Sequence, residues 1–360
     1  MKQGGVWQME EELQLNVPLL RRRVPNLTAA ARDAGLRAAT VSNLCTGKIP
    51  IGRAEVRTLA ALASLAGCTL DELIIRGSGV RMIETGIKAL DLLAPMVRGG
   101  TAGFVARPNM GQLVLLAELI LRLRKRGFAT VFWDPRSDTP GINHVQEQAE
   151  YRHTEQEEIH KRIAGFRNER DVLLGVDRSK MLSGELLALQ QGLREAGARP
   201  VTIALVDIKC EVVDDELAYG PLDTLWKFDA DLIGRSIYPA IDPIASTSTA
   251  LEGSHLEAVH QATQQRARQL LRRYRELRAL VNGQGPDKIA ESDMQLFKRG
   301  ERLEAYLAQP FFVSEPYTNK QGEWLTLYET LEDVKRILDG GTDRSDLSEL
   351  LFRGRLAEIR

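Results

Sequence analysis

Residues 101–134 read TAGFVARPNMGQLVLLAELILRLRKRGFATVFWD, and this stretch sets the expected fold class. Thr101–Ala106 and Thr130–Asp134 are short apolar runs of strand length. Between them, Gln112–Arg126 places Leu113, Leu116, Leu119, Ile120 and Leu123 at helical spacing. The alternation recurs downstream: Asp171–Asp177 (DVLLGVD) and Val201–Ile208 (VTIALVDI) predict buried strands, with a helix near Ser183–Ala196 between them. Strand, helix, strand in succession argues for an α/β fold with a parallel sheet flanked by helices on both faces. Further on, helices are expected over 255–281, 291–308 and about 328–338. Gly340-Gly341 breaks the pattern and a charged tail helix is expected over 345–358.

At 360 residues the chain has room for two or three domains. The formal net charge of −1 excludes a uniformly basic nucleic-acid binder but leaves local patches open. No apolar run approaches the roughly 20 residues of a membrane span. MKQGGVWQMEEE lacks an apolar signal region, so a cytoplasmic location is expected. Three widely spaced cysteines (Cys45, Cys68, Cys210) fit reduced thiols and offer no zinc spacing. His144, His153 and His160 have no properly spaced third ligand, so no metal site is expected. Arg266, Arg268, Arg272, Arg273, Arg275 and Arg278 form a dense basic run, read as a solvated or subunit-contact face.

After an N-terminal extension (1–20), residues 21–76 read as a compact helical unit closed by a Gly77-Ser78-Gly79 linker. Asn26 or Thr28 can cap a first helix, Gly35 makes a turn, and a second helix follows near Ala38–Leu44 with Val41 and Leu44 inward. Between Arg21 and Arg57 eight basic residues face two acidic ones, a local +6. The Thr-Val-Ser-Asn-Leu-x-x-Gly-Lys run resembles the phage-repressor (Cro-like) helix-turn-helix family. That resemblance implies DNA binding, with Arg37, Ala39, Thr40 and Asn43 facing base edges and Lys48 and Arg53 near phosphates.

From Val80 to Leu338 the chain resembles the catalytic beta subunit of rotary ATP synthases. The match is carried by Glu84–Pro95 (ETGIKALDLLAP), by Ile237–Pro243 (IYPAIDP) with Ser246-Thr247-Ser248, and by Leu307–Phe311 (LAQPF). The resemblance implies a P-loop-NTPase-like (RecA-like) domain over 80–250, a C-terminal helical domain over 251–340 and a tail over 341–360. It also implies a phosphate loop at residues 106–113, which here read ARPNMGQL. Against G-x-x-x-x-G-K-[ST], Ala106 replaces the first Gly, Gln112 the phosphate-binding Lys and Leu113 the Mg²⁺-binding hydroxyl. Pro108 removes one amide from the cradle. The Glu that positions attacking water is missing from Arg136-Ser137-Asp138, and Thr249 stands where the family carries an Arg.

What the resemblance leaves is a degenerate nucleotide site. Arg107 and Gly111 lie in the loop beside Gln112 and Leu113. Asp177 matches the Mg²⁺-side Asp, and Tyr238, Tyr306 and Phe311 match the aromatics around adenine. The sequence therefore predicts a DNA-binding transcription regulator, built on a pseudo-ATPase domain used for oligomerisation or sensing. No catalysis and no cofactor are expected, residual ATP or ADP binding being the lesser expectation. The expected partners are double-stranded DNA and either a second copy or a related ATP synthase-like chain. The alternative is an ATPase subunit or structural subunit of a rotary ATP synthase-like assembly, with the helical unit binding protein.

Overall fold

The computed structural model describes residues 13–24, 26–46, 48–49, 51–76, 82–166, 168–209, 222–252 and 256–356. The Gly77-Ser78-Gly79 linker, Cys210, His255 and the Gly of the Leu-x-x-Gly-Lys run lie outside them. Two compact units emerge, one of residues 1–81 with 251–257, the other of residues 82–250 with 258–360. No helix among the described residues is long and apolar enough to cross a membrane.

The small unit holds β1 (Leu13–Leu15), α1 (Val17–Arg23), α2 (Leu27–Asp33), α3 (Ala38–Cys45), α4 (Val56–Ala66), α5 (Leu70–Leu73) and β2 (Ile74–Arg76). Asn26 caps α2 by accepting from the Ala29 amide at 3.3 Å. Leu20, Ala31, Val41, Leu44, Leu59 and Leu62 form the core. The unit is not all-helical: β1 pairs antiparallel with β2, Leu13 opposite Arg76. The expected boundary at residue 21 therefore falls inside α1. A three-residue strand carries too little alternation to be read locally, and its partner lies sixty residues on.

The large unit begins with β3 (Met82–Ile83), α6 (Lys88–Leu93) and β4 (Met96–Val97). Then come β5 (Thr101–Val105), α7 (Gln112–Lys125), β6 (Ala129–Trp133), α8 (Ile142–Gln148), β7 (Tyr151–His153), α9 (Gln156–Gly165) and β8 (Val172–Asp177). Next are α10 (Arg178–Leu182), α11 (Glu185–Glu195), β9 (Thr202–Val206), β10 (Thr224–Lys227), α12 (Ala230–Gly234) and β11 (Thr247–Ser248). Among the described residues the strands order as β11-β10-β5-β9-β8-β6-β7, all parallel except the edge strand β11. Leu116, Leu119 and Ile120 of α7 cover one face with Phe104, Phe132 and Leu173. Ile159 and Ile163 of α9, with Leu186 and Leu189 of α11, cover the other with Val131, Leu174 and Val176. Consecutive residues of β8 thus bury on opposite faces, which is why the run reads as continuously apolar.

Helices α13 (Ala258–Gln284), α14 (Glu291–Leu307), α15 (Glu315–Thr318), α16 (Leu327–Leu338) and α17 (Leu347–Leu350) complete the chain. Leu271, Leu303, Val334 and Ile337 pack there against Leu92 and Leu93 of α6. Only four residues of the expected tail helix are helical. Beyond them the chain is drawn across the helices: the Leu356 amide donates to Asp333 at 2.9 Å and Leu356 is fully buried.

Asp91 on α6 accepts from the Thr85 amide and hydroxyl and from the Gly86 amide at 2.7–3.1 Å. Burial, outweighing those hydrogen bonds, pushes its carboxyl up to about 7 from 3.8. A raised carboxyl stabilises fully below the unfolded pKa, and that stabilisation is lost as pH rises through the folded one. Resistance of the native chain to urea is therefore expected to fall as pH rises from 4 to 7, by at most about 1.4 kcal/mol per pH unit from this group. Asp91→Asn is expected to flatten that slope while lowering stability throughout. An unchanged slope would count against this account. Lys88, pushed by burial down to about 7, changes stability only above that window.

Candidate functional site

The loop at residues 106–111 joins β5 to α7 at the C-terminal edge of the sheet, where open α/β sheets bind ligands. Asn109 (φ 64°) and Gly111 (φ 88°) are left-handed, and Gly111 caps α7. That backbone is what a phosphate cradle requires, but one of its amides is already taken by the protein. Met110 is 5% exposed, and its Sδ accepts the Arg107 amide at 2.9 Å. Met110, Leu113 and Phe311 belong to one buried apolar cluster with Phe228. Leu113 therefore puts methyl groups where Mg²⁺ would need oxygen. Gln112 is buried, whereas Arg107 and Pro108 are exposed.

Asp177 ends β8 on the same edge, 5% exposed. Its Oδ2 accepts from the Ser179 amide at 3.0 Å and from the Ser179 hydroxyl, capping α10. Its Oδ1 accepts from the Ile208 amide at 2.9 Å. Both oxygens are thus engaged in holding two loop connections. Asp134, after β6, is held by the Arg136 amide at 2.9 Å and by Gln146 at 3.0 Å. Arg136 pairs with Glu155 at 2.9 Å, and Asp138 is exposed.

The three aromatics have different surroundings. Tyr238 is 39% exposed, and its carbonyl accepts from the Gln309 amide at 2.8 Å. Phe311 sits in the apolar cluster under the loop. Tyr306, expected beside an adenine, is fully buried, with its hydroxyl donating to Asp333 at 2.9 Å. Burial, reinforced by Asp333, pushes that hydroxyl well above its ordinary range. The correction is geometric: α14 turns Tyr306 into the helical core.

Conspicuously intact is a buried clasp that the sequence reading missed. Lys88 Nζ donates to the carbonyls of Tyr306, Ala308 (3.0 Å) and Arg353 (2.7 Å), three acceptors for the three N–H groups of an ammonium. Its backbone amide donates to Gln309 Oε1 at 2.9 Å. Gln309 Nε2 in turn donates to the carbonyls of Gly86 (2.8 Å) and Glu323 (2.7 Å). Those two carbonyls also accept from Arg122, each at 2.7 Å, and Arg122 pairs with Glu118 at 2.5 Å with neither side chain exposed. Glu118 then accepts the Phe312 and Val313 amides at 3.1 and 3.0 Å. The available signal was an i,i+4 acid–base pair within the otherwise apolar stretch Leu113–Leu123 of α7.

Four of the six arginines of the basic run on α13 pair with acids of the same chain. Arg266 pairs with Asp339 at 2.7 Å, Arg273 with Asp293 at 2.8 Å, Arg275 with Asp242 at 3.0 Å, and Arg278 with Asp231 at 2.5 Å. Arg268 donates to the carbonyls of Leu93 and Ser246. His153 pairs with Glu158 at 3.2 Å, and among the described residues no three ligating side chains converge on a metal position.

In the small unit, Arg37 caps α3 through its backbone, and Arg37, Ala39, Lys48 and Arg53 are exposed, with Thr40 and Asn43 half-buried. Arg23, counted toward the basic patch, donates to the carbonyls of Ala66 and Gly67 at the end of α4.

Residues 251–345 match the family described as the C-terminal domain of V and A type ATP synthase. The structure is similar to that of an ATP synthase subunit, NeqB from Nanoarcheaum equitans, with 15% sequence identity and a TM-score of 0.54, over 72% of this chain and 76% of that one. At that identity the likeness is one of fold. These findings overturn the expectation of a DNA-binding transcription regulator with double-stranded DNA as its partner. They favour the alternative, an ATP synthase subunit-like protein. The expectation failed because a positive helical surface with a capped turn is common to many helical modules, so charge and spacing did not discriminate among their partners.

Proposed function

We propose that the chain is a non-catalytic subunit of a rotary ATP synthase-like assembly, in which the small helical unit docks onto protein. Within this reading, residues 80–250 are a nucleotide-binding domain that no longer binds nucleotide, and 251–340 its helical companion. Arg107, Gly111, Gln112, Leu113, Asp177, Tyr238, Tyr306 and Phe311 are the remains of its site. The reading is carried by a contrast within one molecule. The clasp centred on Lys88, Glu118, Arg122 and Gln309 is whole, while Met110 takes an amide of the phosphate loop and Leu113 is buried in an apolar cluster. Framework kept without chemistry suits a part whose task is to be held by neighbours.

The test is co-expression of the tagged full chain with ATP synthase-type subunits from its own host, followed by mass measurement of the purified complex by light scattering. A complex containing this chain in fixed ratio to a related subunit is expected. A chain that purifies alone, or that instead retains duplex DNA through high-salt washing, would overturn the proposal.

A further inference from the structure

A cleft of about 650 Å³ opens between the C-terminal half of α13, α14, α17 and the turn at Arg235–Ile237. Its volume lies within the range of small-molecule sites. Ile237, Tyr274, Val281, Phe297, Leu347 and Leu351 supply the apolar lining. Tyr274 and Phe297 stand side by side, ring centroids 5.2 Å apart and planes inclined by 52°. Gly300 makes this arrangement possible, because a Cβ there would overlap the Cβ of Tyr274. Leu347 and Leu351 keep 39% and 38% of their surface exposed at the rim, apolar area left for an occupant to cover.

The polar groups define the occupant's charge. Arg235 is paired with Glu304 at 2.9 Å, and Arg278 with Asp231 at 2.5 and 2.8 Å, so both guanidinium groups are matched. The Glu301 side chain also lines the cleft but makes no hydrogen bond or ion pair among the described residues. The side chains of Asn282 and Ser348, likewise without hydrogen-bond partners among the described residues, add an amide and a hydroxyl. An aromatic pair beside one uncompensated carboxylate attracts a cation with a flat apolar body.

We propose that this cleft binds a small aromatic amine, its ring against Phe297 and the exposed faces of Leu347 and Leu351 and its ammonium toward Glu301. The assignment is independent of the subunit reading. Three probes with one ring test it on the full chain at low ionic strength: tryptamine, neutral indole and anionic indole-3-acetate, titrated by calorimetry. Tryptamine is expected to bind at least about tenfold more tightly than indole-3-acetate, the combined effect of ring and carboxylate. Glu301→Gln is expected to bring tryptamine within about twofold of indole, and Phe297→Ala to weaken tryptamine and indole alike. Absence of saturable tryptamine binding, equal affinity for all three probes, or an unaltered preference in Glu301→Gln would overturn the proposal. Indole binding by Glu301→Gln also shows that this variant is folded.

Discussion

Replacing Arg122 with alanine is expected to cost the protein about 3–5 kcal/mol of folding stability, the loss typical of breaking one partner out of a buried ion pair. The side chain has no solvent exposure, so nothing can hydrate what it leaves behind. Glu118 would keep its charge in the interior, and the carbonyls of Gly86 and Glu323 would each lose the guanidinium donor they share with Gln309. The Phe312 and Val313 amides would still hold Glu118, so the carboxylate could not turn away. Urea denaturation at neutral pH measures the effect. A double replacement, Glu118→Leu with Arg122→Met, should be less damaging than Arg122→Ala alone, because it removes both buried charges together. A loss below about 1 kcal/mol for Arg122→Ala would mean that the pair is hydrated in solution and that the clasp is not what holds α7 to the segment 84–95.

Mg-ATP turnover is expected to lie at least about 10³-fold below that of an ATPase with a lysine and a hydroxyl in its phosphate loop, since removal of a single preorganised group often has that effect. Installing them as Gln112→Lys with Leu113→Thr is expected not to restore hydrolysis. Met110 would still hold the Arg107 amide, and Asp177 would still be bonded to Ser179 and Ile208 rather than open toward a metal. Asp177→Ala separates the two roles open to this aspartate. A capping residue predicts a stability loss of about 1–3 kcal/mol with turnover unchanged. A metal-side residue predicts the reverse. Phosphate release and thermal denaturation on the same preparations decide between them, and turnover that disappears in Asp177→Ala would defeat the non-catalytic reading.

Such outcomes depend on features of unequal visibility in the sequence. The strands at 101–105, 129–133, 172–177 and 202–206 lie within a residue or two of their expected limits. Each is a short, largely apolar run, and its burial on both sheet faces follows from that pattern. Helices α7, α14 and α16 were legible for the same local reason. The loop substitutions at Gln112 and Leu113 could also be read directly, because side-chain type decides what a phosphate loop can coordinate. Tyr306 could not be placed in this way. A tyrosine fits an adenine pocket and a helical core equally well, and the choice was made by Lys88 above its ring and Asp333 at its hydroxyl.

The sequence by itself determined the alternation of strand and helix and the absence of the loop's lysine and hydroxyl, since periodicity and side-chain chemistry are local properties. It took the folded chain to show that Met110 turns back to take the Arg107 amide, that Asp177 caps α10, and that Arg266, Arg273, Arg275 and Arg278 of α13 pair with Asp339, Asp293, Asp242 and Asp231. The same holds for the clasp joining Lys88 to Arg353 and Arg122 to Glu323. The physical reason is that a buried hydrogen-bonding group must find whatever partner the folded chain brings within about 3 Å, and separation along the sequence does not limit which residue that is.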